Sequence, residues 1–353
     1  MSLKIDSLLR EVVELKGSDL HLTVGLPPVL RVHGELRQMN LPVLTPEDVK
    51  EMLLGILDEK QQEDLLQTKE LNFSYSLPGV SRFRGSAVLQ RGSLDVVLRV
   101  IPWHVPALEE LGLPEIVQEF ARYSRGLVLV TGPAGSGKST TLASLINQVN
   151  EERAVNIVTV ESPVEFLHKH KKSIVRQREV GSDTHSFAAA LQHLLRHDPD
   201  VVLISELESR ESISAALKAA ETGHLVFSAM HTRTVPATIH RLAGIYPDSL
   251  QKYVRLQLAD CLKAVISQQL VPRADGGGRV AAVEVLINTA AVSEMIREGQ
   301  VSQLYTAMKT GRSFGMQTMD KALSDLCLQG AISREEALKR AANRSELERL
   351  LRS

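Results

Sequence analysis

Cysteine is nearly absent: Cys261 and Cys327 are the two thiols of 353 residues. They stand far apart in apolar, helix-like patterns, so they read as core thiols rather than as a metal or disulfide pair. An excess of one charge is missing too, since 41 lysines and arginines against 42 aspartates and glutamates leave a formal net charge of −1. No basic field therefore argues for a nucleic-acid partner. No apolar stretch approaches the roughly 20 residues that cross a bilayer, and the first residues alternate in charge where a secretory leader would be apolar. These absences give the expectation of a protein made and kept in the cytosol. What is present is ordinary for a soluble chain: 43% hydrophobic and 24% charged residues, over a length sufficient for two domains with real cores.

Two kinds of patterning divide the chain. Residues 1–101 mix helix and strand signals: an amphipathic helix at 3–15, short strands at 19–24 and 29–39 around the Pro27-Pro28 turn, and helices at 46–57 and 59–68. Strands at 70–77, 81–90 and 93–101 follow, and Pro78-Gly79 and Arg91-Gly92 supply the turns of a hairpin meander. This reads as a small α+β domain. Residues 102–114, with three prolines, form the expected linker. From residue 115 to 353 the pattern changes: runs at 127–131, 155–160, 201–205 and 225–229 are apolar without alternation and are separated by helical segments, as a buried parallel sheet requires. The Gly276-Gly277-Gly278 turn then leads to one more strand and a helical tail from Val292 to the end.

The first of those runs ends in Gly132-Pro133-Ala134-Gly135-Ser136-Gly137-Lys138-Ser139-Thr140, a P-loop. Gly132, Gly135 and Gly137 allow torsions in which several backbone N–H groups turn inward on phosphates. Lys138 adds a point charge for the β and γ phosphates, Ser139 offers its hydroxyl to Mg²⁺, and the helix expected over 140–149 aims its positive end at the same anion. The fold class that follows is α/β, a doubly wound nucleotide-binding core with its ligands at the carboxyl ends of the strands.

Binding phosphate does not require hydrolysing it, so the ends of the neighbouring strands matter. Glu161 ends the run 155–160, with Glu165 four residues on. Asp198-Pro199-Asp200 precedes Val201-Val202-Leu203-Ile204, and Ser205-Glu206 closes it. His231 follows the run 225–229. A glutamate at the Glu206 position can polarise a water for attack on the γ phosphorus, and a histidine beside it can donate to a γ oxygen or to that water. Taken singly, a strand-end glutamate such as Glu161 or Glu206 can also be read as a solvated loop residue; three polar residues at successive strand ends downstream of a P-loop point to a hydrolytic site. His224 precedes its strand and could serve a structural bond or the chemistry.

These motifs together resemble the secretion and type IV pilus ATPases, most closely the PilT-like pilus retraction motors. Gly17-Ser18-Asp19-Leu20-His21-Leu22, Gly25-Leu26-Pro27-Pro28 and Arg31-Val32-His33-Gly34 resemble the opening of the family's PAS-like N-terminal domain. Arg82-Phe83-Arg84, Gln90-Arg91-Gly92 and Arg99-Val100-Ile101-Pro102 are similar to its arginine-bearing strands. The stretch Val158 to Phe166 is similar to its Asp box, Asp198 to Glu206 to its Walker B box, and Ala220 to Val226 with His231-Thr232 to its His box. Gly311 and Gly315-Met316-Gln317-Thr318 match its C-terminal region. The resemblance implies a RecA-like ATPase core, ATP with Mg²⁺ held by Ser139 and, through water, Glu161, and a homohexamer whose linkers move as domains close on nucleotide. It implies that Arg84 and Arg99 reach the γ phosphate. It also implies work at the cytoplasmic face of the inner membrane, by peripheral association with a pilus platform protein and with paralogous pilus ATPases.

The chain departs from that pattern at defined places. Ser162 stands where the motors carry Asp, and Ser205 where they carry Gly. Leu207-Glu208-Ser209 replaces Met-Arg-Asp. In Ala291-Val292-Ser293-Glu294-Met295-Ile296-Arg297-Glu298, Ser293 and Glu294 replace Arg and Asn of a motif tied to retraction, which suggests an altered partner surface. Three readings follow: a retraction motor; an extension or type II secretion ATPase, which would usually bring a longer N-terminal region and a Cys-x-x-Cys zinc insertion; or a weakly hydrolytic accessory subunit. Two smaller signals read more simply. His193 and His197, four apart beside Asp198, read as a solvated helix face before a metal site, and His168 to Lys172 as a charged loop before an anion site.

Overall fold

The computed structural model describes residues 4–352 except 33 and 195. Its backbone forms two compact units, one running to His104 and including Glu165–Leu167, the other comprising Val105–Val164 and the chain from His168 onward.

In the first unit six strands, β1 Gly17–Leu22, β2 Val29–Val32, β3 Glu35–Gln38, β4 Glu70–Leu77, β5 Ser81–Gln90 and β6 Ser93–Ile101, form an antiparallel sheet in the order β3-β2-β1-β6-β5-β4. One face packs on the helices Ile5–Glu14, Pro46–Leu54 and Glu59–Thr68 through Leu9, Val12, Leu53, Leu20, Leu98 and Phe83. Capping boxes on Thr45 and Asp58 start the second and third of these helices. The run 29–39, expected as one strand, is a hairpin: the chain reverses at Gly34, and β3 is exposed along its whole length. Its apolar residues therefore do not mark one buried strand. Phe73 lies opposite Gly85 in the β4–β5 register, and a Cβ at 85 would sit 2.2 Å from the ring.

The second unit holds β7 Gly126–Thr131, β8 Asn156–Glu161, β9 Ile174–Glu179, β10 Val201–Ile204, β11 Leu225–Met230, β12 Leu262–Pro272 and β13 Arg279–Ile287, in the order β13-β12-β7-β11-β10-β8-β9. All neighbours are parallel except β13, which runs antiparallel to β12. The apolar strands fill two cores, because successive side chains point to opposite faces. Leu127, Leu129, Val158, Val202 and Val226 pack on one side, and Val128, Val130, Ile157, Leu203 and Phe227 on the other.

Two strands lie outside the sequence expectation. β9, Ile-Val-Arg-Gln-Arg-Glu, is a half-polar edge strand. β12 follows the helix Asp248–Cys261 with no turn residue between them, so its apolar run merges with the helical one. The expected tail is a set of separate helices, among them Ala290–Arg297, Met319–Leu328 and Arg344–Leu350, with left-handed glycines at 299, 315 and 330 between the segments. Cys261 ends its helix buried, and burial, with the neighbouring Glu221 carboxylate, pushes its thiol up to about 12. Cys327 is half-buried in Met319–Leu328.

Candidate active site

The P-loop leaves the carboxyl end of the interior strand β7 and enters the helix Lys138–Glu152, whose N-cap, Gly137, has φ +89°. Gly132 has φ +149°, and a Cβ there would lie 2.4 Å from the Gln268 carbonyl oxygen and 2.5 Å from Ser136 Oγ. The loop is thus folded so tightly that its first position tolerates no side chain. Pro133, Ala134 and Gly135 are exposed at its tip, Ser136 and Lys138 are buried, and Ser139 and Thr140 are half-buried in the first helical turn. Lys138 Nζ donates to the carbonyls of Gly132 at 3.0 Å and Pro133 at 3.1 Å.

The rim residues come from β11, β10 and β8, the strands that follow β7 in order on one side of the sheet. Glu206 follows β10 and His231 follows β11, and the sheet brings them together: His231 Nε2 lies 2.6 Å from Glu206 Oε1. The other ring nitrogen, Nδ1, lies 3.1 Å from Lys138 Nζ. One imidazole thus joins the P-loop lysine to the strand-end glutamate. Glu161, at the end of β8, is buried, and its Oε1 accepts from Thr159 Oγ1 at 2.6 Å and Gln177 Nε2 at 3.0 Å. His224 turns away from this rim and caps the helix Arg210–Glu221, its Nδ1 2.9 Å from the Ala219 carbonyl oxygen.

The residues fit a nucleotide's phosphates. The cradle has no room for a Cβ at Gly132, and the buried hydroxyls Ser136 Oγ and Thr131 Oγ1, beside the loop, have no hydrogen-bond partner among the described residues. The rim that carries Glu206 and His231 also offers candidate cation ligands. Among the described residues, the group of three acidic or histidine side chains whose ligand atoms lie within 4.8 Å of one another is Glu206, Glu208 and His231. Glu161 is not in that group.

Arg84 and Arg99 belong to the first unit, where register makes them direct cross-strand neighbours. The row continues from Arg99 to Asp19 and from Asp19 to Arg31. Asp19 is buried and offsets the like charges: its Oδ1 lies 2.7 Å from Arg99 Nε, and Ser18 Oγ donates to its Oδ2 at 2.7 Å. Burial pushes this carboxyl up, but the bonds from Ser18 and Arg99 outweigh it and hold it below the usual carboxylate range. Arg84 and Arg99 are both exposed.

Two of the departures noted in the sequence contact each other. The Ser162 N–H donates to Ser205 Oγ at 3.1 Å, so the serine in the Asp position and the serine in the Gly position form one pair. Ser293 turns its hydroxyl inward, donating to the Ala259 carbonyl at 2.7 Å, while Arg297 reaches Glu294 at 2.8 Å and Asp260 at 3.2 Å. Half of the expected altered surface is therefore internal packing. His197 lies beyond the helix Phe187–Leu194, so the two histidines do not share a helix face. The loop 168–172 is stitched to buried Asn150, which donates to Lys169 O and accepts from Lys171 N. Burial, with Lys171 nearby, lowers the His168 imidazole to about 4.

Sequence reading missed three buried polar groups behind the site. Gln268, on β12, bonds Ser136 and Thr141 of the P-loop segment. Ser267 Oγ donates to the Arg233 carbonyl at 2.9 Å. Glu284 on β13 accepts from the Val235 N–H at 2.7 Å, and burial pushes its carboxyl up to about 7, with Asp320 adding to the rise and backbone N–H groups of Val235 and Met319 opposing it. The one available signal was three consecutive polar residues, Ser267-Gln268-Gln269, inside an otherwise apolar run.

Comparison with known proteins places the chain in a family. A family profile described as type II/IV secretion system protein matches residues 3–312. The chain is 46% identical to the type IV pilus retraction ATPase PilT of Pseudomonas aeruginosa, over 96% of this chain and 98% of that one. It is 42% identical to the type IV pilus ATPase PilU of the same organism, over 99% and 92% respectively. A crystal structure of the pilus retraction motor PilT with bound ADP superposes with a TM-score of 0.90 at 45% identity, covering 98% of this chain and 99% of that one. The chain belongs to the type II/IV secretion system protein family, as a PilT-like P-loop ATPase.

Proposed function

We propose that this chain is an ATP-driven motor for retraction of type IV pili, acting as a homohexamer at the cytoplasmic face of the inner membrane against a pilus platform protein. The observation that carries the reading is the contact chain Lys138–His231–Glu206 at the mouth of the P-loop. Glu206 is the base that polarises the attacking water; His231 orients that carboxylate and tells it, through Lys138, where the γ phosphate lies. Gly132 to Thr140 bind the phosphate chain, and Ser139, with Glu161 through water, holds Mg²⁺. Bound there, the metal would supply positive charge to offset the negative charge that develops in phosphoryl transfer. Arg84 and Arg99 complete the charge around the γ phosphate in the assembled ring.

Steady-state ATPase assays test the chemistry: Glu206→Gln should lower kcat by about 10²- to 10⁴-fold while ADP still binds. Equal, slow turnover in both proteins would sink the motor reading. A deletion strain should keep its pili and lose twitching motility; a strain without pili would point instead to extension. The Ser162–Ser205 pair favours a second reading, a weakly hydrolytic accessory subunit of a paralogous motor. Restoring both residues as Ser162→Asp with Ser205→Gly would then raise turnover, which the first reading does not require.

A further inference from the structure

Gln268 lies on β12, 1% exposed, with both ends of its amide engaged. Its Nε2 donates to the Ser136 carbonyl at 2.7 Å, and its Oε1 accepts from Thr141 Oγ1 at 3.1 Å. Its own backbone carbonyl is the atom that a Cβ on Gly132 would strike. One residue therefore braces the first position of the P-loop, its buried middle and the first turn of the helix behind it. Because successive strand residues point to opposite faces, its neighbour Ser267 turns the other way and holds the Arg233 carbonyl, two residues after His231. Glu284 is paired with Ser267 across β12 and β13 and holds the Val235 N–H. The wall that carries Lys138 and the wall that carries His231 are thus fastened to adjacent residues of one strand, and the 3.1 Å approach of Lys138 to His231 spans between them.

We propose that β12 is a yoke for the site, with Gln268 the positioning residue of the phosphate cradle and Ser267, backed by Glu284, the positioning residue of the His231 loop. The inference rests on the ATP-hydrolysing reading given above. It assigns the two neighbours different kinetic roles. Gln268 holds a loop that grips phosphate alike in the ground and transition states, so its loss weakens binding. Ser267 holds a residue that acts on the reacting phosphate, so its loss slows the chemical step.

The test uses the full chain with ATP turnover and fluorescent-ADP titration. Gln268→Met keeps length and removes the amide, leaving the buried Ser136 carbonyl and Thr141 hydroxyl unpartnered; KM for ATP and Kd for ADP should each rise about tenfold, with kcat changed by less than about twofold. Ser267→Ala should lower kcat by about tenfold and leave the ADP Kd within about twofold. Thr141→Val, nearly isosteric, should raise the ADP Kd and add little to Gln268→Met, since both delete the same contact. Thermal melts accompany each variant. Parallel losses in kcat and affinity from both strand positions, following a fall in Tm, would overturn the yoke and leave a plain stability effect; so would Gln268→Met and Thr141→Val proteins that bind ADP as the wild type does. Failure of the wild type itself to bind ADP or turn over ATP would instead remove the hydrolytic reading.

Discussion

Glu284 carries a pH-dependent stability that can be worked from its surroundings. The carboxyl is 2% exposed on β13, and burial moves it from the usual 4.5 up to about 7 against the pull of two backbone N–H groups. A carboxyl with a raised value in the folded state favours folding fully below its unfolded value and loses that contribution as pH rises through the folded one. The window therefore runs from about pH 4.5 to about pH 7. At about 1.36 kcal/mol for each pH unit, the contribution lost across it is about 3 kcal/mol. Glu284→Gln keeps an acceptor for the Val235 N–H and removes the titration. The variant should thus gain on the wild type as pH rises, by about 3 kcal/mol between pH 4.5 and pH 8. For a unit of this size that is a growing Tm difference of about 6–12 °C. Scanning calorimetry of both proteins at pH 5, 6, 7 and 8 measures it. A Tm difference that stays constant over that range would refute the reasoning, because it would mean that Glu284 titrates no differently in the folded and unfolded chains.

Three further outcomes test other parts of the structure. Gly132→Ala should weaken ADP binding by about 10- to 100-fold in a fluorescence titration, since its Cβ collides with the Gln268 carbonyl and with Ser136 while the backbone is held at φ +149°. Gly85→Ala drives a methyl into the Phe73 ring and should destabilise the first unit by about 1–3 kcal/mol, read as a lowered first transition in calorimetry with the second unmoved. A Phe73→Leu second change should recover part of that loss. Asp19→Asn should cost stability at neutral pH, and because the native carboxyl lies below its ordinary range, the penalty should shrink as pH falls through that range. Urea titrations at pH 7 and pH 3 compare the two.

What the sequence disclosed was what lies close together along the chain. The P-loop, the strand-end glutamates and the His231 position each announce themselves within a few residues, since a glycine turn or a strand end is a local event. The apolar runs of β7, β10 and β11 were equally readable, because a strand buried on both faces needs no alternation. β12 was not, since an apolar strand that starts where a helix stops carries no boundary signal. Gln268 was invisible for a related reason: the residue it braces, Ser136, is 132 positions away, and no periodicity links the two. Arg84 and Arg99 were found through family resemblance, while their direct pairing and their offset by Asp19 depend on a register that only the folded sheet sets. The Ser162–Ser205 contact is the same kind of fact, two substitutions that look independent until β8 and β10 are laid side by side.

The scarcity of cysteine becomes a practical property once the two thiols are placed. With its thiol pushed up to about 12 by burial, Cys261 holds almost no reactive thiolate near neutral pH, and it is walled in as well. Thiol-directed dyes therefore find Cys327 first, and replacing that single half-buried residue leaves a chain blank to such reagents under native conditions. New cysteines placed in pairs on the two units would then report distances during turnover without a native background.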